Sequence, residues 1–324
     1  MRVLAGDIGG THCRLAIAEA DRDGIDILRA ARYASRGHAD LEAILTDFLG
    51  AETVPEACCL AVAGPTDGLR ARFTNLDWNV DASALAARFG FRNALLVNDF
   101  AAVGWGLAGL RAEQLAPLQA GDAVANAPRL ALGAGTGLGV CLCVWRDGGY
   151  RPLASEGGHI GFAPLDATQD RLLAHLRRAH GRVSVERILS GPGIVELYRF
   201  CLAEAGRADS PLLREAHPAP AITAAGLAGD DAAAAQGLRL FAQILGQTAG
   251  DLALAARAEG GVFLAGGIAP QVLPTLRNGD FLHGFHAKGR FAEWTRSLPV
   301  AVVLDADIGL RGAARAAMLD TAAA

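Results

Sequence analysis

The stretch 1-MRVLAGDIGGTHCRLAIAEA-20 decides how this chain is read. Val3-Leu4-Ala5 is an apolar run with strand character. Asp7, Gly9, Gly10 and Thr11 make a tight polar turn, and Arg14 to Ala18 resumes an alternating apolar run. The pattern is strand, glycine turn, strand. Paired glycines carry no Cβ to block a close ligand and permit φ > 0. Backbone N–H groups in such a turn can converge on phosphate oxygens. A Walker A loop would need G-x-x-x-x-G-K-[ST] followed by a helix. The single lysine, Lys288, sits in no such motif. A Rossmann fingerprint also leads into a helix, whereas a second strand follows here. Taken alone, the stretch reads better as an ordinary β-hairpin with a glycine turn.

Working outward, the pattern recurs. In 130-LALGAGTGLGVCLCVW-145, Leu130 to Leu132 reads as a strand, Gly133 to Gly139 as a glycine-threonine turn, and Val140 to Trp145 as a second strand. Two such hairpins far apart imply two related halves. A third segment, 261-GVFLAGGIAP-270, is a buried strand running into Gly266-Gly267 and a helix.

These strings carry a resemblance. A D-x-G-G-T hairpin, a G-T-G-x-G hairpin and a late A-G-G turn resemble the sugar-kinase branch of the actin-like ATPase superfamily. The longer blocks VLAGDIGGTHCRLAI, GAGTGLGV, SEGGHIGFAP, ERILSGPGIVELY and GVFLAGGIAP resemble the bacterial glucokinases of the proteobacterial type. The resemblance implies an α/β protein with the two-domain actin-like (ribonuclease H-like) fold and an interdomain cleft. It places one domain over 1–110 plus 301–324 and a larger one over 111–300. It implies ATP and Mg²⁺ as cofactors and glucose as substrate. The expected reaction is phosphorylation of the 6-hydroxyl to glucose 6-phosphate. A homodimer is a further expectation. The alternatives are a kinase of another hexose or amino sugar, and a sugar-responsive regulator without catalysis.

Composition bounds the reading. The chain has 324 residues, 52% hydrophobic and 20% charged, with a formal net charge of −4. That suits a well-buried globular protein. No basic stripe argues for nucleic acid or an anionic membrane. No apolar run is long enough to span a bilayer, and the N-terminus enters a strand without a charged and then apolar leader. The six cysteines, Cys13, Cys58, Cys59, Cys141, Cys143 and Cys201, lie mostly in apolar strand-like runs and form no C-x-x-C pair. They read as buried thiols of a cytoplasmic protein.

In chain order, Asp40 caps a helix from Leu41 to about Leu49, whose Leu41, Ile44, Leu45, Phe48 and Leu49 share a face. The run 58-CCLAVAGP-65 is a buried strand ending in loop chemistry at Ala63-Gly64-Pro65, and Leu69 to Phe73 is another strand. Asp81 caps a helix over 82–89 that Gly90 closes. The segment 94-ALLVNDFAAVGWGLAGL-110 reads as strand, Asn98-Asp99, then helix. Alternating strands and helices imply a mainly parallel sheet with ligands beyond the strands' C-terminal ends. The stretch 112–128 reads as a passage between domains. Ser184 is expected to cap a helix over 185–189, which Ser190-Gly191-Pro192-Gly193 interrupts before a second helix over 194–205. A helical stretch spans 230–258, then 299–305 is a strand and 310–320 a terminal helix. By resemblance, that last portion returns to the first domain.

Several side chains suit phosphoryl transfer. Asp7 beside the first turn can hold Mg²⁺, more readily through water than directly. It can equally be a turn aspartate bonding its own backbone. Asp99 at a strand end can accept a hydroxyl proton, and from position alone it can equally cap the following helix. The resemblance puts Asp99 on the family's base and Asn98 on a sugar-binding amide. Glu156 and His159 are good metal ligands in principle, but no cysteine lies between Cys143 and Cys201 to complete a zinc set, so no zinc site is expected. Carboxylates, Asn and His also suit sugar hydroxyls. By resemblance, Glu156, His159 and Glu186 contact the sugar, with Asn98 and Asp99. Glu186 reads also as a helix first-turn acid. The resemblance assigns the nucleotide to Gly6, Asp7, Ile8, Gly9, Gly10 and Thr11, to Gly135, Thr136 and Gly137, and to Gly266 and Gly267. Gly161 departs from the family, which often has an acid there.

Overall fold

The computed structural model describes residues 1–323 other than 22, 23, 52, 65, 74, 75 and 77, with backbone alone from 320 onward. The chain divides into two units. The first comprises residues 1–112, 146–154 and 305–324, and the second 113–145 and 155–304.

The first unit opens with β1 (Arg2–Ile8), β2 (His12–Ala20), β3 (Ile25–Ala34), α1 (Leu41–Leu49) and β4 (Ala57–Val62). It continues with β5 (Arg70–Arg72), β6 (Asn79–Asp81), α2 (Ala82–Phe89), β7 (Asn93–Asn98) and α3 (Asp99–Gly106). Its five-stranded sheet has the order β3-β2-β1-β4-β7. The first three strands are antiparallel, whereas β4 runs parallel to β1 and β7 parallel to β4. Pro65, expected in the loop after β4, lies outside the described residues.

The second unit begins with β8 (Leu115–Gln119), β9 (Arg129–Ala134) and β10 (Leu138–Arg146), and β11 (Gly149–Ser155) follows, all but its last residue counted with the first unit. Helices α4 (Ala167–His180), α5 (Gly191–Glu204), α6 (Pro218–Ala228) and α7 (Ala232–Ala256) follow. After β12 (Val262–Ala265) come the short helices α8 (Ile268–Gln271), α9 (Leu273–Leu276), α10 (Asp280–His286) and α11 (Ala292–Ser297), then β13 (Val300–Val303). The six-stranded sheet has the order β11-β10-β9-β12-β13-β8. Again β9 and β10 form an antiparallel hairpin, and β12 and β13 extend the sheet in parallel. Helix α12 (Ile308–Ala323) then rejoins the first unit.

Alternation along β1 explains why both faces of the first sheet are covered. Leu4 and Ile8 point to a cluster with Leu41, Ile44, Leu45 and Phe48 of α1. Val3 and Ala5 point the other way, onto Leu310, Ala313, Ala314 and Ala317 of α12. Each large aliphatic or aromatic side chain so buried contributes about 1.5–3 kcal/mol. The second face is lined by small residues, which lets α12 approach closely. A Cβ at Gly312 would stand 1.7 Å from the Ala102 carbonyl oxygen, so α12 and α3 cross backbone to backbone. In the second unit, α7 and α10 meet in the same manner. A Cβ at Gly246 would lie 1.9 Å from the Phe281 carbonyl oxygen, and one at Gly284 2.1 Å from that of Gln243.

Four expectations need correction. The stretch 112–128 is not simply a passage, because its residues 115–119 form β8, an edge strand antiparallel to β13. Strand β13 does not return to the first sheet. It pairs with β12 and β8, and only α12 goes back. The helix expected over 185–189 is a single 3₁₀ turn, Val185–Arg187, and the Ser184 side chain makes no capping bond. Finally, Ser190-Gly191-Pro192-Gly193 does not interrupt a helix but starts one. The Ser190 hydroxyl accepts the Gly193 N–H at 3.1 Å, and Pro192 sits in the first turn, where its missing N–H costs nothing.

Candidate active site

In the first glycine hairpin, Asp7 faces Arg14 across β1 and β2. Burial pushes the Asp7 carboxyl above the usual carboxylate range, and the Arg14 guanidinium works against that rise. Arg14 also donates to the Ala306 carbonyl at 2.9 Å and pairs with Asp307, so the segment before α12 is tied to the hairpin. The turn is closed by the Gly9 N–H donating to the His12 carbonyl at 3.0 Å. Ser35, fully buried, donates its hydroxyl to the Gly9 carbonyl at 2.8 Å, and its N–H reaches the Thr11 carbonyl at 3.0 Å. Ser35 thus fixes which way those carbonyls point. Nothing in the sequence links position 35 to position 9. Gly9 does not adopt a left-handed φ. A Cβ there would lie 3.1 Å from the His12 carbonyl oxygen, a tight approach to which the turn would have to yield by a few tenths of an ångström. Gly6 and Ile8 sit lower in the strand. Ile8 is core, and a Cβ on Gly6 would meet Leu60 Cδ2 at 2.5 Å.

Asn98 and Asp99 stand where β7 ends and α3 begins. The cap is Asn98, not Asp99. Asn98 Oδ1 accepts the N–H groups of Phe100 at 3.0 Å and Ala101 at 3.1 Å, while Nδ2 reaches the Gly64 carbonyl at 3.5 Å. Asp99 occupies the first helical turn, where its Oδ1 accepts the Phe100 N–H at 2.8 Å. A carboxylate there is favoured by the helix dipole.

In the second unit, the loop after β11 lies flat on β10. A Cβ at Gly158 would stand 2.2 Å from the Leu138 carbonyl oxygen, and one at Gly157 2.9 Å from Val140 Cβ. The loop is stitched to the segment before Glu186. The Phe162 N–H donates to the Val183 carbonyl and the Val185 N–H to the Ile160 carbonyl, both at 3.0 Å, and Arg182 Nη2 donates to the His159 carbonyl at 2.8 Å. The result brings together three of the expected sugar residues. His159 Nε2 is 3.8 Å from Glu156 Oε2, and His159 Nδ1 is 3.8 Å from Glu186 Oε1. Glu156 and His159 are exposed and Glu186 half-buried, so two carboxylates and a ring present polar atoms outward. Arg182, which motif reading did not single out, holds the backbone of His159 in place. Gly161 joins Ser184 in an isolated β-bridge, and a Cβ there would meet open space.

The second glycine hairpin adjoins this group. The Gly135 N–H donates to the Gly137 carbonyl at 2.8 Å, the Gly191 N–H donates to the Gly135 carbonyl at 2.8 Å, and Thr136 is exposed at the tip. Gly266, at φ +80°, is left-handed. Its absent Cβ would lie 2.7 Å from the Ala134 carbonyl oxygen, placing the Gly266-Gly267 turn beside the end of β9. Two glycine turns therefore sit next to each other at one end of the sheet's two central strands. Among the described residues no three His, Cys, Asp or Glu side chains form a metal cage. Mg²⁺ bound mainly by phosphates and water needs only one or two carboxylates, and a cation beside Asp7 would offset the cost of burying that charge. The residues present fit such an ion.

The glucokinase sequence family matches residues 4–320. The chain belongs to the glucokinase family. The glucokinase of Nostoc punctiforme is 39% identical over 96% of this chain and 97% of its own length. Among solved structures, a glucokinase from an Antarctic psychrotroph superposes with a TM-score of 0.87 at 33% identity, covering 98% of this chain and 99% of that one. A ROK family glucokinase from Streptomyces griseus, solved with glucose and AMPPNP, has a TM-score of 0.65 at 21% identity over 98% and 100% of the two chains, a likeness of fold. The glucokinase fold is thus that of the actin-like ATPases, in agreement with the repeated strand-hairpin order.

Proposed function

We propose that this chain transfers the terminal phosphoryl group of ATP to the 6-hydroxyl of D-glucose, giving glucose 6-phosphate and ADP. The observation that carries the reading is the Glu156–His159–Glu186 group. Residues thirty positions apart in the sequence are drawn to within 3.8 Å of one imidazole, beside a glycine hairpin. Such a cluster offers hydroxyls both acceptors and a donor. In this reading Asp99 takes the proton from the attacking hydroxyl, and the Asn98 amide helps hold the sugar. The Gly9 and Gly135 N–H groups are taken by the His12 and Gly137 carbonyls, so it is the remaining backbone N–H groups of the turns at Gly9 to Thr11 and Gly135 to Gly137 that carry phosphate oxygens, and Gly266-Gly267 leaves room for the nucleoside. Mg²⁺, held through water by Asp7, neutralises charge on the phosphates. Asn98 as cap supports the role of Asp99, because it relieves the acid of capping and leaves it in the first turn. A homodimer in the cytoplasm belongs to the same reading and rests on the family. No described helix is long and apolar enough to cross a membrane.

Asp99→Asn tests the chemistry. The amide keeps shape and hydrogen bonding but accepts no proton. Turnover should fall by about a hundredfold or more, while glucose binding by calorimetry changes little. Full turnover in the variant would remove Asp99 from the mechanism.

A further inference from the structure

The Glu186 carboxylate has two engagements. Oε1 faces His159 Nδ1 at 3.8 Å, and Oε2 accepts the backbone N–H of Leu138 at 2.9 Å. Leu138 follows directly on the Gly135–Gly137 turn. A Cβ at Gly137 would stand 2.5 Å from Glu186 Oε2, so the missing side chain at 137 is the space the carboxylate fills. The segment that carries Glu186 holds the other end of the turn as well. The Ser190 hydroxyl donates to the Glu186 carbonyl at 2.8 Å, and the Gly191 N–H donates to the Gly135 carbonyl at 2.8 Å. The turn is gripped at Gly135 by backbone and at Leu138 by a charged side chain.

We propose that Glu186 is a positioning residue for the second glycine hairpin, so that one carboxylate sets the geometry of the sugar cluster and of the nucleotide turn together. The proposal rests on the reading above that this turn holds nucleotide phosphates. A charge-assisted bond from a half-buried carboxylate is among the stronger single hydrogen bonds a protein makes. It orients the Leu138 N–H toward Glu186 and leaves the exposed Thr136 at the tip to face a ligand. A hydroxyl that engages Oε1 draws on the same rigid carboxylate that holds Leu138. The two ligands are therefore coupled, and by linkage the coupling is reciprocal. A residue that only touched sugar would leave nucleotide binding in the absence of sugar untouched.

The measurement is calorimetric binding of Mg²⁺-AMPPNP to the full chain with no sugar present, alongside glucose binding. Glu186→Ala should weaken the nucleotide about tenfold, the scale of a lost charged hydrogen bond. Glu186→Gln, whose amide oxygen still accepts the Leu138 N–H, should hold nucleotide affinity within about threefold while glucose affinity falls. Gly137→Ala should weaken the nucleotide in the native background and add little in the Glu186→Ala background, where the space is vacant. Circular dichroism and Tm establish that each variant is folded. Thr136→Glu, which sets a negative charge at the exposed tip, separates the two levels of argument. If it weakens the nucleotide and Glu186→Ala does not, the positioning role is wrong and the phosphate turn stands. If neither changes the nucleotide, the reading of the turn itself fails. Equal loss in Glu186→Ala and Glu186→Gln would also overturn the proposal.

Discussion

Asn98 shows how one side chain can serve fold and chemistry together. Its carbonyl oxygen caps α3, and its amide nitrogen extends to the Gly64 carbonyl at 3.5 Å. Aspartate caps helices as well as asparagine does but has no donor. Asn98→Asp should therefore keep Tm near that of the native protein, raise the KM for glucose, and place a second negative charge beside Asp99. A loss of Tm with KM unchanged would mean that the residue only caps. Position alone gave Asp99 equal weight as base or cap, because both roles use a carboxylate at a strand end, and only the family resemblance chose the base. Only the backbone geometry shows which of two adjacent polar residues holds the Ncap position. The cysteines behave as their apolar surroundings imply. All six are buried and none forms a disulfide, and burial pushes the Cys201 thiol up to about 12. Ser35 and Arg182 escaped notice because each acts on a backbone carbonyl far away in sequence, and no motif records such a bond.

At the scale of elements, helix starts were the most legible feature. Asp40 and Asp81, read as caps, each accept the N–H three residues on, the local contact that a capping side chain makes, and so does Asp231, which the sequence reading did not single out. Asp231 caps the 25-residue α7 and also accepts from the Tyr198 hydroxyl at 3.0 Å. Burial raises its carboxyl, but the Ala234 N–H, the Tyr198 hydroxyl and the Arg207 charge outweigh it, and the net shift is downward. A depressed carboxylate stabilises the fold above its unfolded pKa, and that contribution is lost as pH falls through the folded value. Asp231→Ala should cost about 1–2 kcal/mol at neutral pH, read as a lowered Tm. The gap to the native protein should narrow below about pH 4. A gap constant down to pH 3 would mean that the charge contributes nothing. What misled at this scale was partnership. Five residues around Pro117 carry too little alternation to announce β8, and the apolar run of β13 does not say which sheet it joins. Ser190-Gly191-Pro192-Gly193 looks like loop chemistry until the serine is recognised as a cap and the proline as a first-turn residue.

At the scale of the chain, the repeated glycine hairpin pointed to the architecture. In each unit an antiparallel hairpin, β1–β2 or β9–β10, is extended by parallel strands on the same side, β4–β7 or β12–β13. Each hairpin turn stands at one end of such a sheet. The measurement that tests the account most directly is ATP consumption with Mg²⁺ against glucose, mannose, fructose, N-acetylglucosamine and no sugar, with the phosphorylated carbon identified by NMR. The account predicts turnover highest with glucose, phosphate on the 6-oxygen, and loss of activity when Mg²⁺ is chelated. Turnover that ignores the sugar, or that is foremost with a different one, would contradict it.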